Sequence, residues 1–130
     1  MSRYARKVDS SQRLIIDCLT QAGCSVVAIQ SPVAGLPDLL VGFLGRNYLV
    51  ECKPVVTTRS GRSEAKNRLR ATQEAWAARW RGSKPFVVCT PTEAFELAST
   101  WRARAAKDLE AAKALADRNA AIIAAYEEST

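Results

Sequence analysis

Apolar positions divide the chain into several short periodic segments followed by one long uninterrupted one. After Asp9, Ser10 and Ser11, each able to cap a helix, apolar residues recur at Leu14, Ile15, Cys18, Leu19 and Ala22. That is the spacing of one helical face, and Gly23 supplies a stop. Residues 25–30 (SVVAIQ) are short and β-branched and predict a strand running into a turn at 31–35 around Pro32. Two apolar runs, PDLLVGF from 37 and YLVECK from 48, flank Leu44, Gly45, Arg46 and Asn47, a hairpin connection, and predict the centre of a sheet. Residues 54–68 are polar and basic without helical or strand periodicity, which predicts a mobile loop. A second helix follows at about 70–81, with Leu69, Trp76 and Trp80 as its inward stripe and Gly82 at its end. PFVVC (85–89) predicts a fourth buried strand. Thr90, Pro91 and Glu93 then combine a cap, a first-turn proline and the acidic third residue of a capping box. No Gly or Pro occurs from there to Thr130. The tail is one long helix or two, the second starting near Lys107 or Asp108, with an apolar stripe at Leu109, Ala112, Leu115, Ile122 and Tyr126.

These elements make an α/β domain of order αβββαβ, a central mixed sheet flanked by helices, with a C-terminal helical extension. A length of 130 residues, 48% of them hydrophobic, allows one compact domain plus that appendage, divided here as 1–104 and 105–130. The net charge of +6 points to an anionic partner, and its distribution is sharper than its total. Residues 1–90 hold 14 basic and 6 acidic side chains, whereas residues 91–130 hold 5 and 7, so the first ninety residues are the expected anion-facing part. Cys18, Cys24, Cys52 and Cys89 each lie in or beside an apolar stretch, and the chain has no histidine to complete a close zinc-ligand spacing. They read as free thiols in a reducing cytosol. Arg3, Arg6 and Lys7 precede an apolar run that Asp17 interrupts, so no signal-peptide core forms, and no run is long enough to span a membrane. A cytoplasmic protein of a bacterium or phage-infected cell is the expectation.

The chemistry concentrates in the predicted hairpin. Side chains alternate across a strand, so Glu51 and Lys53 share a face, and the hairpin brings Asp38 to within a residue or two of them. Two carboxylates and an amine converge between Leu39, Leu40, Val41, Leu49 and Val50, where charge is costly unless paired or metal-bound. Taken singly, each has an ordinary explanation: Asp38 caps a turn after Pro37, and Glu51 with Lys53 forms an ion pair at a sheet edge. Taken together in a hairpin otherwise apolar, they favour a site. Mg²⁺ takes carboxylate and carbonyl oxygens and keeps several waters, which suits phosphodiester hydrolysis, with Lys53 orienting water or stabilising charge on phosphorus.

Gly35-Leu36-Pro37-Asp38 followed by Glu51-Cys52-Lys53 resembles the signature of the PD-(D/E)XK nuclease superfamily, and αβββαβ is that superfamily's restriction-endonuclease-like core. Within it, the chain is most similar to archaeal-type Holliday-junction resolvases and the virus-type replication-repair (VRR-NUC) nucleases of phages. The likeness lies in the ECK strand and in a first helix running from Gln12-Arg13 through Leu19 to Gly23, and it covers about residues 9–98. The resemblance implies Asp38 and Glu51 as metal ligands, the Cys52 carbonyl as a backbone ligand, Lys53 as the catalytic lysine and Mg²⁺ or Mn²⁺ as cofactor. It implies hydrolysis of DNA, including branched DNA. Related nucleases often carry a glutamate on the first helix where this chain has Gln12, which weakens the case for a second metal. Gln12 could ligate through its amide oxygen, and Asp9 or Asp17 could compensate.

Gln73 falls on the inward face of the second helix, where relatives often have a glutamine that supports the site. It either holds Lys53, Glu51 or a water, or sits at the margin of the face satisfied by backbone or solvent. The spacing of Trp76, Trp80 and Trp101 favours core packing over base stacking. Five cations at Arg59, Arg62, Lys66, Arg68 and Arg70, just downstream of Lys53, favour phosphate contact over a merely solvated loop. The rival readings are a catalytically inactive nuclease fold that binds nucleic acid or protein, and an oligomer, most simply a dimer, assembled through residues 105–128.

Overall fold

A computed structural model describes residues 10–57, 63–65 and 69–130. It is an α/β fold with a four-stranded mixed open sheet, a separate two-stranded ribbon and three helices. Helix α1 (Ser10–Gln21) buries Ile15, Cys18 and Leu19 and ends at Gly23, whose φ of +101° takes the left-handed conformation that glycine tolerates. Asp9, the first of the expected caps, lies outside the described residues. Strands β1 (Ser25–Ala28), β2 (Leu39–Phe43) and β3 (Arg46–Cys52) form an antiparallel meander. Strand β6 (Phe86–Val88) joins β3 in parallel, giving the order β1-β2-β3-β6. The two central strands are those of the predicted hairpin, but its turn is tighter than the sequence suggested. Leu44 and Gly45 alone make it, at φ +48° and +83°, and Arg46 pairs with Phe43 inside the ladder. Positive φ at both central residues matches the right-handed twist of the strands.

Alternation along these strands separates two faces. Leu39, Val41, Phe43, Tyr48 and Val50 point to the main core, where they meet Ile15 and Leu19 of α1. Ala94, Ala98 and Trp101 of α3 (Pro91–Glu128) complete it. Trp101, only 1% exposed, stacks on Tyr48 with ring centroids 4.0 Å apart and meets Phe86 edge-on. The opposite face carries Asp38, Leu40, Leu49, Glu51 and Lys53, and α2 (Ala71–Arg79) supplies the side chain that engages its charged end. On this face Leu40 stays 41% exposed.

Two expectations need correction, and a third left open is decided. The segment predicted as a structureless loop contains β4 (Val55–Thr57) and β5 (Ser63–Ala65), an antiparallel ribbon. Strands of three residues are too short to carry a periodicity from which to predict them. The second helix stops at Arg79, and Trp80 adopts an extended C-cap conformation and is 46% exposed rather than inward. The tail, left open between one helix and two, is a single helix of 38 residues. Its start is as expected: the Thr90 hydroxyl accepts from the Glu93 N–H at 3.2 Å, and Pro91 opens the first turn.

From Leu109 onward every residue of α3 is exposed. Ten of the 21 residues from 105 to 125 are alanine, so intrinsic propensity carries the helix where packing does not. The stretch from 109 to 128 projects about 30 Å at 1.5 Å per residue. Its root is tied to the hairpin by an Arg46–Asp108 ion pair of 2.7 Å, and the helix runs unbroken across the expected 104/105 boundary.

Candidate active site

The β2–β3 register pairs Leu39 with Val50, which sets Asp38 opposite Glu51 with both side chains on the face away from the main core. Two residues on, Lys53 returns to that face, its backbone N–H donating to the Val88 carbonyl at 2.9 Å and so extending the β3–β6 ladder. Asp38, Glu51 and Lys53 are the described residues that are both charged and buried, at 8%, 4% and 8% exposure. The strands bury them because their neighbours are interior residues, so each charge needs a partner nearby.

Much of that partnership runs through Gln73. Its Nε2 donates to Glu51 Oε1 at 2.6 Å, while its Oε1 accepts from Lys53 Nζ at 2.8 Å and from the Arg70 backbone N–H at 2.9 Å. Lys53 Nζ also lies 3.5 Å from Glu51 Oε1. Asp38 Oδ2 accepts from the Cys52 backbone N–H at 2.9 Å, which pins the first carboxylate to the second strand. One amide side chain thus orients an acid and an amine while closing the first turn of α2, with Arg70 as its N-cap.

Gly35, in the GLPD turn, has φ +86°, and a Cβ there would lie 2.5 Å from the Thr72 carbonyl oxygen and 2.9 Å from Trp76 Cβ. Only glycine lets the turn that delivers Asp38 close on the helix that delivers Gln73. The left-handed φ and the missing Cβ serve one contact.

Burial pushes the Glu51 carboxyl up to about 7, and the neighbouring Asp38 carboxylate adds to the rise against the opposing pull of Lys53 and Gln73. Glu51 Oε2 is buried without a hydrogen-bond partner. A buried carboxylate oxygen beside a second carboxylate is costly in isolation, and either a proton shared with Asp38, whose side-chain hydrogen bond also raises Glu51, or a cation would relieve that cost. Among the described residues no group of three or more His, Cys, Asp or Glu side chains is placed to hold a metal. Two carboxylates nevertheless suit Mg²⁺, which binds through one or two of them and takes other ligands from carbonyls, waters and substrate phosphate. The donor set therefore fits a hard divalent ion.

Gln12 lies half-buried in the first turn of α1 and, as a neutral amide, adds no third carboxylate, while Asp17 is exposed to a greater degree than the core-facing residues of the same helix. Arg59, Arg62, Lys66 and Arg68 lie outside the described residues; Arg70 is exposed at the start of α2. The cysteines are free thiols, with Cys18, Cys24 and Cys89 buried and Cys52 half-buried. Of the tryptophans, Trp76 and Trp101 are buried as expected and Trp80 is not. Among the described residues no helix is long and apolar enough to cross a membrane.

No family model matches the chain, and neither a curated protein nor a solved structure matches it.

Proposed function

We propose that this protein is a divalent-metal-dependent nuclease that hydrolyses DNA phosphodiesters. The observation that carries the reading is the buried pairing of Asp38 with Glu51, one carboxylate oxygen left without a partner, beside a lysine held by Gln73. Setting the β4–β5 ribbon aside, the element order α1-β1-β2-β3-α2-β6 agrees with the PD-(D/E)XK resemblance of the GLPD and ECK segments.

Asp38, Glu51 and the Cys52 carbonyl would hold Mg²⁺ or Mn²⁺, and the bound ion would supply a more acidic water and a polarised phosphate. The chain's own residues do the rest. Glu51 must be ionised to ligate, so its raised pKa makes the site most competent above about pH 7. Lys53 directs one ammonium donor to Gln73 Oε1 and lies 3.5 Å from Glu51 Oε1, and its positive charge would stabilise a phosphate oxygen as negative charge develops. Gln73 keeps both side chains in register. In this reading the cations of the 59–70 segment contact the DNA backbone, and the protein acts in the cytoplasm of a bacterium or phage-infected cell.

Digestion of plasmid, forked and four-way-junction DNA with Mg²⁺ and Mn²⁺ tests the activity. Cleavage by wild type and none by Asp38→Ala is expected; no cleavage of any substrate, or equal cleavage by the variant, removes the claim.

Among the described residues two acidic groups rather than three converge, which favours a second reading, a nuclease-like fold that binds nucleic acid without cutting it. Calorimetry separates the two. Mn²⁺ binding that Glu51→Ala abolishes supports the enzyme, and salt-sensitive DNA binding without metal binding supports the module.

The projecting helix serves the same protein as a dimer element. Leu109, Leu115, Ile122, Ile123 and Tyr126 lie on one side of α3, each more than half exposed. Residues 102–110 carry Arg102, Arg104 and Lys107 against Asp108 and Glu110, and the tip carries Glu127 and Glu128, so an antiparallel pair of copies sets a weakly basic root beside an acidic tip. Light scattering should find a dimer that truncation after Arg104 converts to monomer; an unchanged oligomer would exclude this interface.

A further inference from the structure

The face that carries the acidic pair continues past it into a groove that the mechanism does not use. The groove has a volume of about 220 Å³ and is lined by Leu40, Asn47, Tyr48, Leu49, Trp80, Gly82 and Ser83. Leu40 and Leu49 pair across β2 and β3, and each lies two residues from Asp38 or Glu51 on the same face, roughly 7 Å along the strand. Groove and cluster are therefore adjacent stations on one surface, separated by a distance that the sugar and phosphate of one nucleotide can bridge.

Trp80 is built to be presented there. Its indole stacks on buried Trp76, centroids 5.0 Å apart and planes 19° from parallel, which fixes the ring on one side. Gly82 closes on its five-membered ring so tightly that a Cβ would lie 2.8 Å from Nε1. Lys84 Nζ is engaged by the Ala77 and Trp80 carbonyls at the end of α2, holding the 80–84 segment against the helix. Trp80 at 46% exposure and Leu40 at 41% line the same groove, so the braced ring belongs to a contiguous apolar surface rather than standing singly. Arg79 and Arg81, both exposed, flank it in sequence, and Asn47 and Ser83 bring an amide and a hydroxyl to the groove. A flat apolar surface with donors and acceptors at its rim and cations beside it matches a nucleobase attached to a phosphodiester.

We propose that this groove binds one unpaired base of a DNA strand, stacked against Trp80, while the adjoining phosphate lies at the Asp38–Glu51–Lys53 cluster. The inference rests on the nuclease reading of that cluster and narrows its substrate class to DNA with a single-stranded or splayed nucleotide, because a base still paired in a duplex is not free to enter the groove. Stacking on an aromatic side chain is tolerant of sequence, so no base preference is expected.

The test is fluorescence titration of the full chain in EDTA, where cleavage plays no part, with a single-stranded oligo(dT) and a blunt hairpin duplex of equal length. Wild-type emission should be quenched by the single strand. Trp80→Ala should weaken single-strand binding about ten- to a hundred-fold, read by anisotropy of a labelled oligonucleotide, and leave duplex binding unchanged. Trp80→Phe should recover most of the loss, and Leu40→Glu, at an exposed strand position, should reproduce it with an unchanged melting temperature. Two folded variants, Trp80→Ala and Leu40→Glu, that bind the single strand as wild type does, or that lose single strand and duplex equally, would overturn the groove. The parent reading fails separately: Trp80-dependent binding without cleavage in Mg²⁺ or Mn²⁺ removes the nuclease and keeps the base site. Cleavage of branched DNA indifferent to both substitutions removes the base site and keeps the nuclease.

Discussion

In the metal-free protein, stability should fall as pH rises from about 4.5 to about 7, and Glu51→Gln should abolish that fall. Glu51 is protonated more readily in the folded chain, at about 7, than at its ordinary value of 4.5. The folded state therefore binds more protons than the unfolded state across this window, and raising the pH favours unfolding. The difference between the two values, at about 1.4 kcal/mol per unit, amounts to about 3 kcal/mol when Glu51 is fully ionised. Because the carboxylate is almost entirely buried, solvent does little to screen this. The amide introduced by Glu51→Gln mimics the protonated acid in shape and remains neutral throughout. In EDTA the two proteins should melt together near pH 4, and the variant should melt on the order of 10 °C higher at pH 8. Adding Mg²⁺ at pH 8 should raise the wild-type melting temperature, since the ion binds the ionised form, and leave the variant unmoved. Calorimetric scans from pH 4 to 8.5 decide the matter. Wild-type stability that is flat or rising over that range, or that parallels the variant, would refute the argument that burial and Asp38 together raise Glu51.

Three further predictions concern the supports of the site and core. Gln73→Ala removes the bonds to Glu51 and Lys53 together, and steady-state cleavage should slow about 10- to 100-fold with the fold retained by circular dichroism; an unchanged rate would mean that Gln73 only closes its helix. Gly35→Ala forces a Cβ against the Thr72 carbonyl at a left-handed φ, and urea titration should show a loss of about 1–3 kcal/mol; no loss would show that the turn and α2 do not meet as described. Trp101→Ala empties the stack on Tyr48 and should cost about 3–5 kcal/mol by the same titration, with a cost under about 1 kcal/mol contradicting its place in the core.

Much of the fold was legible because its signals are local. The period of Leu14, Ile15, Cys18 and Leu19, the Thr90-Pro91-Glu93 start and the alternating strands around Leu44-Gly45 each express backbone geometry within a few residues. The convergence of Asp38, Glu51 and Lys53 was legible too, because period-two alternation and a tight turn leave the pleat little freedom. Trp80 misled because helical spacing predicts a face but not where the helix stops; the helix ends at Arg79, and Lys84, four residues past Trp80, bonds the carbonyls of Ala77 and Trp80. The β4–β5 ribbon was missed because neither strand carries a pattern of its own.

By itself, then, the sequence determined the helices, the four strands of the main sheet, their order and which charged side chains share a strand face, since these follow from propensity and periodicity along a continuous stretch of chain. The tertiary structure alone decided that Gln73 bridges Glu51 and Lys53, that one Glu51 oxygen is orphaned and that Gly35 admits α2. It also decided that one tryptophan of three faces outward and that α3 from Leu109 onward packs on nothing among the described residues. Each depends on how closely segments distant in sequence approach, a quantity set by packing rather than by any residue's own preference.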